Sequence, residues 1–427
     1  MLKSKTKRTV IIGLDGVPYG LVNDLASKDV MPNLKELIDE GLFRRMKSSL
    51  PEVSAVSWSS IITGKNPGEH GVFGFTDLLE GFYVMSFHSS KKLRAPPFWK
   101  IDNSKRYVIV NLPATYPATN INGILISGFV SPDLKGAVYP RTYLKMLEKE
   151  GYKIDIDIER AKLSGDILIR QLYETLNTRV KVAVNLMNSI KWDVFMLVIT
   201  GTDRLEHFLW DAYEDPRHKH HQDFLDYFSA VDYEIGRVLS AISDNDLIVI
   251  LSDHGMEKLE INVNINTILA NEGFLVIEDN PKKGYNSIKR ETKAFALEPS
   301  RIYLNMKGRY PRGSVSQKDA NEVLGELEDL FYSVKWKGRR VIRKVYRREE
   351  IYRGKYLDKA PDIVLLSEKG FNLRAKLFRK EVFEKEDLTG KHTWDDAFLF
   401  MKSSDVHNVP DDLTVEDVLP LIKSLER

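Results

Sequence analysis

Cysteine is absent from this 427-residue chain, and its absence limits the chemistry available to the protein. Disulfides, thiolate zinc sites, cysteine nucleophiles and iron–sulfur clusters all require cysteine and are therefore excluded. Any metal ion that this chain binds must use imidazole and carboxylate ligands.

Two further absences concern the partners of the protein. The chain has no run of about 18 apolar residues that could cross a bilayer, and its basic start, Met1–Arg8, leads directly into a predicted strand. Lys and Arg number 63 and Asp and Glu 61, so the net charge of +2 gives no field that favours nucleic acid or an anionic membrane. We expect a cytoplasmic protein with a small-molecule substrate, and no nucleic acid polymer or membrane as partner. The oligomeric state stays open.

Strands and helices are predicted to alternate through the first 255 residues. Apolar runs indicate strands over 9–14, 107–111, 194–200 and 247–252, and apolar spacing or end signals indicate helices over 32–40, 54–63, 167–188 and 224–242. Pro32 suits a first helical position, and Gly41 and Gly64 suit helix ends. The alternation predicts an α/β fold with a doubly wound, mostly parallel central sheet and helices on both faces.

The composition changes after Glu257. The segment that follows contains turn signals and, from Lys335 to Lys344, a basic stretch. We predict an inserted cap over 257–358 and a core made of 1–256 and 359–427. In this interpretation Ile363–Leu366 and Ala397–Met401 return to the main sheet. The alternative is a set of surface loops on one larger domain.

Three of the apolar runs lead into an aspartate. The first run is followed by Asp15, the second by Asp203 with His207, and the third by Asp253 with His254. Ligands of open α/β sheets lie beyond the carboxyl ends of the strands, so these side chains are candidates for a metal site. Asp203 and His207 have the spacing that places both on one helix face. For each aspartate alone, a helix cap or a turn is the plain alternative.

Ser54 opens the segment Ser54-Ala55-Val56-Ser57-Trp58 and allows two interpretations. Serine is a common helix N-cap. The same helix end also favours an anion, whether a phosphate or a serine alkoxide held by a metal ion. Ser57, Ser59 and Ser60 remain competitors of Ser54 by spacing.

Taken together, the motifs resemble the alkaline phosphatase superfamily, and within it the type I phosphodiesterase/nucleotide pyrophosphatase branch. They are Leu14-Asp15-Gly16, Ser54 before Trp58, Thr63-Gly64-Lys65-Asn66-Pro67-Gly68-Glu69-His70-Gly71, Asp203 with His207, Ser252-Asp253-His254-Gly255-Met256, and the late His392 in Gly390-Lys391-His392-Thr393. The resemblance implies two divalent ions, zinc or alternatively manganese. One ion is expected on Asp15, Ser54, Asp253 and His254, and the other on Asp203, His207 and His392.

The resemblance also implies a function, namely metal-dependent cleavage of phosphate esters through a phosphoseryl intermediate on Ser54. A phosphodiester is the expected substrate. Phe75 stands where nucleotide pyrophosphatases carry an asparagine that donates to a phosphoryl oxygen, which puts nucleotide substrates in doubt. The alternatives are a phosphomonoesterase or phosphomutase of the same superfamily, and an inactive metal-stabilised binding protein. Val56 and Trp58 replace the proline and arginine of a sulfatase motif and disfavour that activity.

Overall fold

The computed structural model describes residues 7–87, 89–403 and 409–426, which belong to two units. The first unit is formed by Met1–Lys65, Ser89–Glu257 and Leu388–Arg427, and the second by Asn66–His88 and Lys258–Asp387. Each unit has its own sheets and its own buried core.

The first unit is built on an eight-stranded sheet. In spatial order its strands are Leu42–Met46, Ala397–Lys402, Leu247–Leu251, Thr9–Leu14, Val194–Ile199, Tyr107–Leu112, Gly123–Ser127 and Val138–Tyr139. The five strands from Leu247–Leu251 to Gly123–Ser127 are parallel, and the outer strands are antiparallel to their neighbours on the inner side. A short pair, Gly255–Lys258 with Gly390–Thr393, lies outside this sheet.

Helices connect these strands. Their bounds are Tyr19–Ser27, Pro32–Glu40, Ser54–Thr63, Phe98–Ile101, Leu134–Ala137, Leu144–Lys149, Ile158–Ala161, Gly165–Ser189, Gly201–Glu214, His221–Leu239 and Val418–Leu425. The four predicted helices are confirmed, two of them with bounds shifted by a few residues. Gly64 ends its helix at φ 62°, a left-handed conformation that glycine adopts without strain.

Both faces of the main sheet are buried. In the strand Thr9–Leu14, Val10 and Ile12 belong to one core and Ile11 belongs to the other. The first core is shared with the long helix Gly165–Ser189, and the second with Trp58 and the C-terminal helix. Successive strand residues point to opposite faces, so these runs must be apolar throughout. The predicted doubly wound α/β fold is therefore confirmed.

The second unit has smaller sheets. A four-stranded sheet runs in the order Ala294–Leu297, Arg301–Leu304, Ile363–Ser367 and Ile342–Arg347, and a three-stranded sheet in the order Phe371–Arg374, Ile261–Asn264 and Phe383–Glu384. Two hairpins pair Thr76–Leu78 with Met85–Phe87 and Lys335–Trp336 with Arg339–Arg340. The helices are Pro67–His70, Ile265–Asn271, Ala320–Ser333 and Arg348–Ile351.

The second unit is larger than the predicted cap, because 66–88 and 359–387 also belong to it. Ile363–Ser367 pairs with Arg301–Leu304 and Ile342–Arg347, so the expectation that it returns to the main sheet is wrong. The segment before residue 88 is held by Arg301, which is fully buried and donates to Thr76 O at 2.6 Å and Asp77 Oδ1 at 2.8 Å. Such long-range contacts leave no signal in composition.

Among the described residues, no helix combines the length and the apolar character needed to span a bilayer.

Candidate metal and nucleophile site

The main sheet brings the predicted aspartates together. The strands that precede Asp15, Asp203 and Asp253 are neighbours and parallel, so their carboxyl ends share one edge. The three carboxylates are nearly fully buried, with exposures of 3%, 5% and 0%. Buried carboxylates require partners, and their convergence is costly unless a cation or protons compensate the charge.

Ser54 lies beside this acidic group. Its Oγ is 3.3 Å from Asp15 Oδ1 and 3.2 Å from His254 Nε2. The N-cap interpretation is wrong, because Ser54 is the first helical residue and Val53 occupies the cap without a side-chain hydrogen bond. The Ser54 hydroxyl therefore faces the site instead of closing the helix end.

Two of the competing serines, Ser57 and Ser59, have hydroxyls that bind elsewhere. Ser57 Oγ shares 2.8 Å hydrogen bonds with the hydroxyls of Ser48 and Ser49, and Ser59 Oγ donates to Ala55 O. Among Ser54, Ser57 and Ser59, only Ser54 has its hydroxyl within 3.5 Å of the acidic group and a histidine.

Two groups of side chains have the spacing of metal ligands. In each group, one candidate atom per residue lies within 4.8 Å of the others: Asp15, Asp203 and His254 form one group, and Asp203, His207 and His392 form the other. Asp203 belongs to both, and the rings of His254 and His392 stack at 3.7 Å. Five of the predicted ligands thus form one continuous cluster, and Asp253 Oδ2 lies 3.4 Å from His254 Nε2 at its edge.

All three histidines are fixed in the same way. His207 Nδ1 lies 3.0 Å from Gly390 O, His254 Nδ1 lies 3.1 Å from Gly255 O, and His392 Nδ1 lies 2.8 Å from Glu52 O. A carbonyl oxygen can only accept, so each Nδ1 carries a hydrogen, and in the neutral ring each Nε2 presents a lone pair to the cluster.

The Nε2 atoms of His207 and His392 are only 2.9 Å apart. Two lone pairs at this distance repel each other, so the arrangement requires a proton or a metal ion between them. Histidines that ligate metals are held through the other ring nitrogen in the same manner.

The carboxylates show a matching pattern, with one oxygen held and the other turned to the cluster. Trp58 Nε1 donates to Asp15 Oδ2 at 3.0 Å, Gly16 N donates to Asp253 Oδ1 at 3.1 Å, and an Arg204 guanidinium nitrogen donates to Asp203 Oδ2 at 3.2 Å. The other oxygens of Asp203 and Asp253 are buried without a hydrogen-bond partner. Such orphaned carboxylate oxygens fit a divalent cation, which would satisfy them.

Burial and mutual repulsion shift the acids of the site. Burial raises the pKa of Asp15 well above its usual value, and the charges of Asp253 and Asp203 raise it further. Burial likewise raises the pKa of Asp253 to about 7. Burial also opposes ionisation of Asp203, but His207 and His392 outweigh it and hold its pKa below the usual range. Asp15 and Asp253 therefore bind protons more tightly than free carboxyl groups do, whereas Asp203 favours its charged form.

The histidines are shifted toward their neutral forms, with one exception. Burial lowers the pKa of His207 to about 4 and that of His254 well below its usual value. Burial acts in the same direction on His392, but attraction to the Asp203 carboxylate and the hydrogen bond to Glu52 O raise its pKa overall. Neutral imidazole is the form that ligates metals.

Thr389 and Gly390 position His207, and neither was predicted from the sequence to do so. Thr389 N donates to His207 O at 2.8 Å, and its hydroxyl accepts from Trp210 N at 2.8 Å, next to a break in the helix at Leu209. A Cβ on Gly390 would lie 2.3 Å from the carbonyl oxygen of Glu206. The only sequence signal was the glycine two positions before His392.

A family model described as type I phosphodiesterase / nucleotide pyrophosphatase matches residues 9–395 of this chain. The match covers most of the sequence, and the protein belongs to this family, within the alkaline phosphatase superfamily. The resemblance read from the motifs is confirmed. The protein is accordingly a phosphoric ester hydrolase of a metal-dependent family.

Solved structures show the same fold. Phosphonoacetate hydrolase from Sinorhizobium meliloti 1021, in complex with phosphonoacetate, superposes with a TM-score of 0.66 at 16% identity, covering 99% of this chain and 97% of that chain. Murine ectonucleotide pyrophosphatase/phosphodiesterase 5, an inactive variant in complex with AMP, gives a TM-score of 0.56 at 14% identity, with 98% and 95% covered. At these identities the likeness shows the fold alone. A search of curated proteins gave no match.

Proposed function

We propose that this protein cleaves phosphate esters, phosphodiesters foremost, with Ser54 as nucleophile and two divalent metal ions as cofactors. The proposed ligands are Asp15, Ser54, Asp253 and His254 for one ion, and Asp203, His207 and His392 for the other. The observation that carries the proposal is the convergence of three imidazole Nε2 atoms and unpartnered carboxylate oxygens beside the Ser54 hydroxyl.

When bound, the ions supply Lewis acidity, which makes a serine hydroxyl a better nucleophile and offsets charge on the departing oxygen. Ser54 contributes its oxygen, placed at the positive end of the helix Ser54–Thr63. Its Oγ loses the hydroxyl proton to water and forms a bond to phosphorus, while the bond from phosphorus to the departing oxygen breaks and that oxygen takes up a proton from water to leave as the alcohol. Water then hydrolyses the phosphoseryl intermediate, and the two in-line steps give net retention at phosphorus.

Charge balance supports an anionic substrate. Two divalent cations offset the carboxylates of Asp15, Asp203 and Asp253 and one Ser54 alkoxide, so a singly charged phosphodiester meets no strong repulsion. Three imidazoles without a thiolate suit zinc, with manganese as the alternative. We also propose that the protein is cytoplasmic.

A substrate screen with metal analysis tests the proposal. Protein loaded with zinc or manganese is assayed on bis(p-nitrophenyl) phosphate, p-nitrophenyl phosphate, AMP and phosphonoacetate; the last two are the ligands bound in the solved neighbours. We expect the wild type to turn over the diester. Ser54→Ala should abolish this turnover without changing the metal content, whereas Ser54→Thr should retain it because the hydroxyl is kept.

Several results would contradict the proposal. Unchanged turnover in Ser54→Ala protein would remove the nucleophile from the mechanism, and activity in protein shown to be metal-free would remove the ions. Faster turnover of the monoester would favour the phosphomonoesterase alternative. Full metal content without turnover of any phosphate ester would favour a metal-stabilised binding protein.

A further inference from the structure

We propose that Arg204 and Asp155 form a positioning pair that orients Asp203 toward the second metal position, the one shared with His207 and His392. The inference rests on the proposed metal site and adds to it two residues that touch neither the ions nor the substrate. It predicts that the affinity for the second ion depends on the shape of the guanidinium and not on its charge alone.

The contacts of Arg204 are directional. One terminal nitrogen donates to Asp203 Oδ2 at 3.2 Å, and the other donates to Asp155 Oδ2 at 2.7 Å, with Nε at 3.2 Å from the same oxygen. The side chains are only 11% exposed for Arg204 and 16% for Asp155. One face of the guanidinium is covered by Phe129, whose ring centroid lies 4.2 Å away. A planar fork is the group that can join two carboxylates in this way.

Asp155 and its neighbours in the loop are fixed by further hydrogen bonds. Its Oδ1 accepts from Ile156 N at 2.9 Å. The fully buried Arg179 donates to the carbonyl of the preceding residue, Ile154, at 2.8 Å, and the Tyr152 hydroxyl donates to Asn111 Oδ1 at 3.2 Å. The loop that carries Asp155 is therefore fixed by buried side chains, and the orientation of Arg204 follows from it.

The pair leaves one oxygen of Asp203 for the cluster. With Oδ2 held, Oδ1 lies 3.4 Å from His207 Nε2 and 3.3 Å from His392 Nε2, without a hydrogen-bond partner. Without the guanidinium, the carboxylate could rotate about its side-chain bonds and withdraw that oxygen. A positive charge near a metal position by itself repels a cation, so charge and orientation predict opposite effects of removing Arg204.

Arg204→Lys and Arg204→Met separate these effects. Dissociation constants of both ions are measured by chelator competition with elemental analysis, on the full-length protein with zinc. If orientation matters, both variants bind the second ion about 10- to 100-fold more weakly and the first ion unchanged. If only charge matters, Arg204→Lys resembles the wild type and Arg204→Met binds more tightly, which would overturn the proposal. Arg217→Met is the matched control, because Arg217 forms an exposed ion pair with Asp215.

A kinetic readout distinguishes positioning from a loss of stability. Of the two proposed ions, the one on Asp203, His207 and His392 would offset charge on the departing oxygen. Arg204→Lys should therefore lower kcat more for phenyl esters, which have the poorer leaving group, than for p-nitrophenyl esters, whereas KM changes little. Equal losses on both esters would contradict the proposal.

If Arg204→Met fails to fold, Asp155→Asn is tested in its place, because it weakens the contact that holds the Arg204 guanidinium. The same loss of affinity for the second ion is then expected. If the wild type binds no ions, the proposed function is refuted. If the wild type binds two ions and the Arg204 variants bind them with the same affinities, only the present inference is refuted.

Discussion

Replacing Trp58 by Phe tests how strongly a buried hydrogen bond supports the first metal position. Trp58 is fully buried, its Nε1 donates to Asp15 Oδ2 at 3.0 Å, and its ring lies against Gly13, where a Cβ would be 2.4 Å from the ring edge. Phenylalanine retains an aromatic ring but cannot donate. A hydrogen bond to a charged group contributes roughly 1.5–3 kcal/mol. At about 1.4 kcal/mol per tenfold change, the ion on Asp15 should bind on the order of 10- to 100-fold more weakly.

Trp99→Phe provides the control for lost ring volume. Trp99 is also buried, with 3% exposed, but its Nε1 has no hydrogen-bond partner among the described residues, so its replacement removes packing only. Both variants are titrated with zinc against a chelator of known affinity, and thermal melting is followed in parallel. Equal metal affinities of the two variants would refute the argument, because they would show that the donor to Asp15 is unimportant.

Three further predictions concern the same cluster and one helix of the second unit. Burial raises the pKa of Asp253 from 3.8 to about 7, so ionisation of this carboxyl destabilises the folded state. Between these two pH values, the metal-free wild type should therefore lose stability relative to Asp253→Asn as the pH rises. Melting temperatures of the two proteins that change with pH in the same way would contradict this. Gly390→Ala places a methyl group against the carbonyl of Glu206 and should weaken the second ion at least tenfold, which zinc titration checks. Gly325→Ala, within the helix Ala320–Ser333 and with no atom near the added Cβ, should instead stabilise the protein by about 0.5–1 kcal/mol, measured by urea unfolding.

The part of the fold predicted from sequence is the part that depends on local patterns. The runs Val10–Leu14 and Leu247–Leu251 are apolar throughout because both of their faces are buried, and this property is visible in the residues themselves. Which strands lie beside them in the sheet cannot be read from the same residues. Ile363–Ser367 has the same apolar character but pairs within the second unit, since strand pairing is decided by contacts between distant segments.

The candidate site likewise has a part that local sequence predicts and a part that it does not. Asp15 and Asp253 follow predicted strands, so the parallel sheet was enough to place them together. His392 lies 185 residues from His207 along the chain, and only the family resemblance connected them. The supporting residues were missed because their roles depend on geometry. Trp58 and Arg204 each direct a donor group at a carboxylate of the cluster, a property that residue type and spacing do not reveal.

The central claim is that Ser54 lies at a two-metal site. Anomalous diffraction at the zinc absorption edge, from crystals of the zinc-loaded protein, tests it most directly. The claim predicts two peaks, one at about 2.0–2.1 Å from His254 Nε2 and the other at that distance from the Nε2 atoms of His207 and His392. A single peak, or peaks away from these atoms, would contradict it.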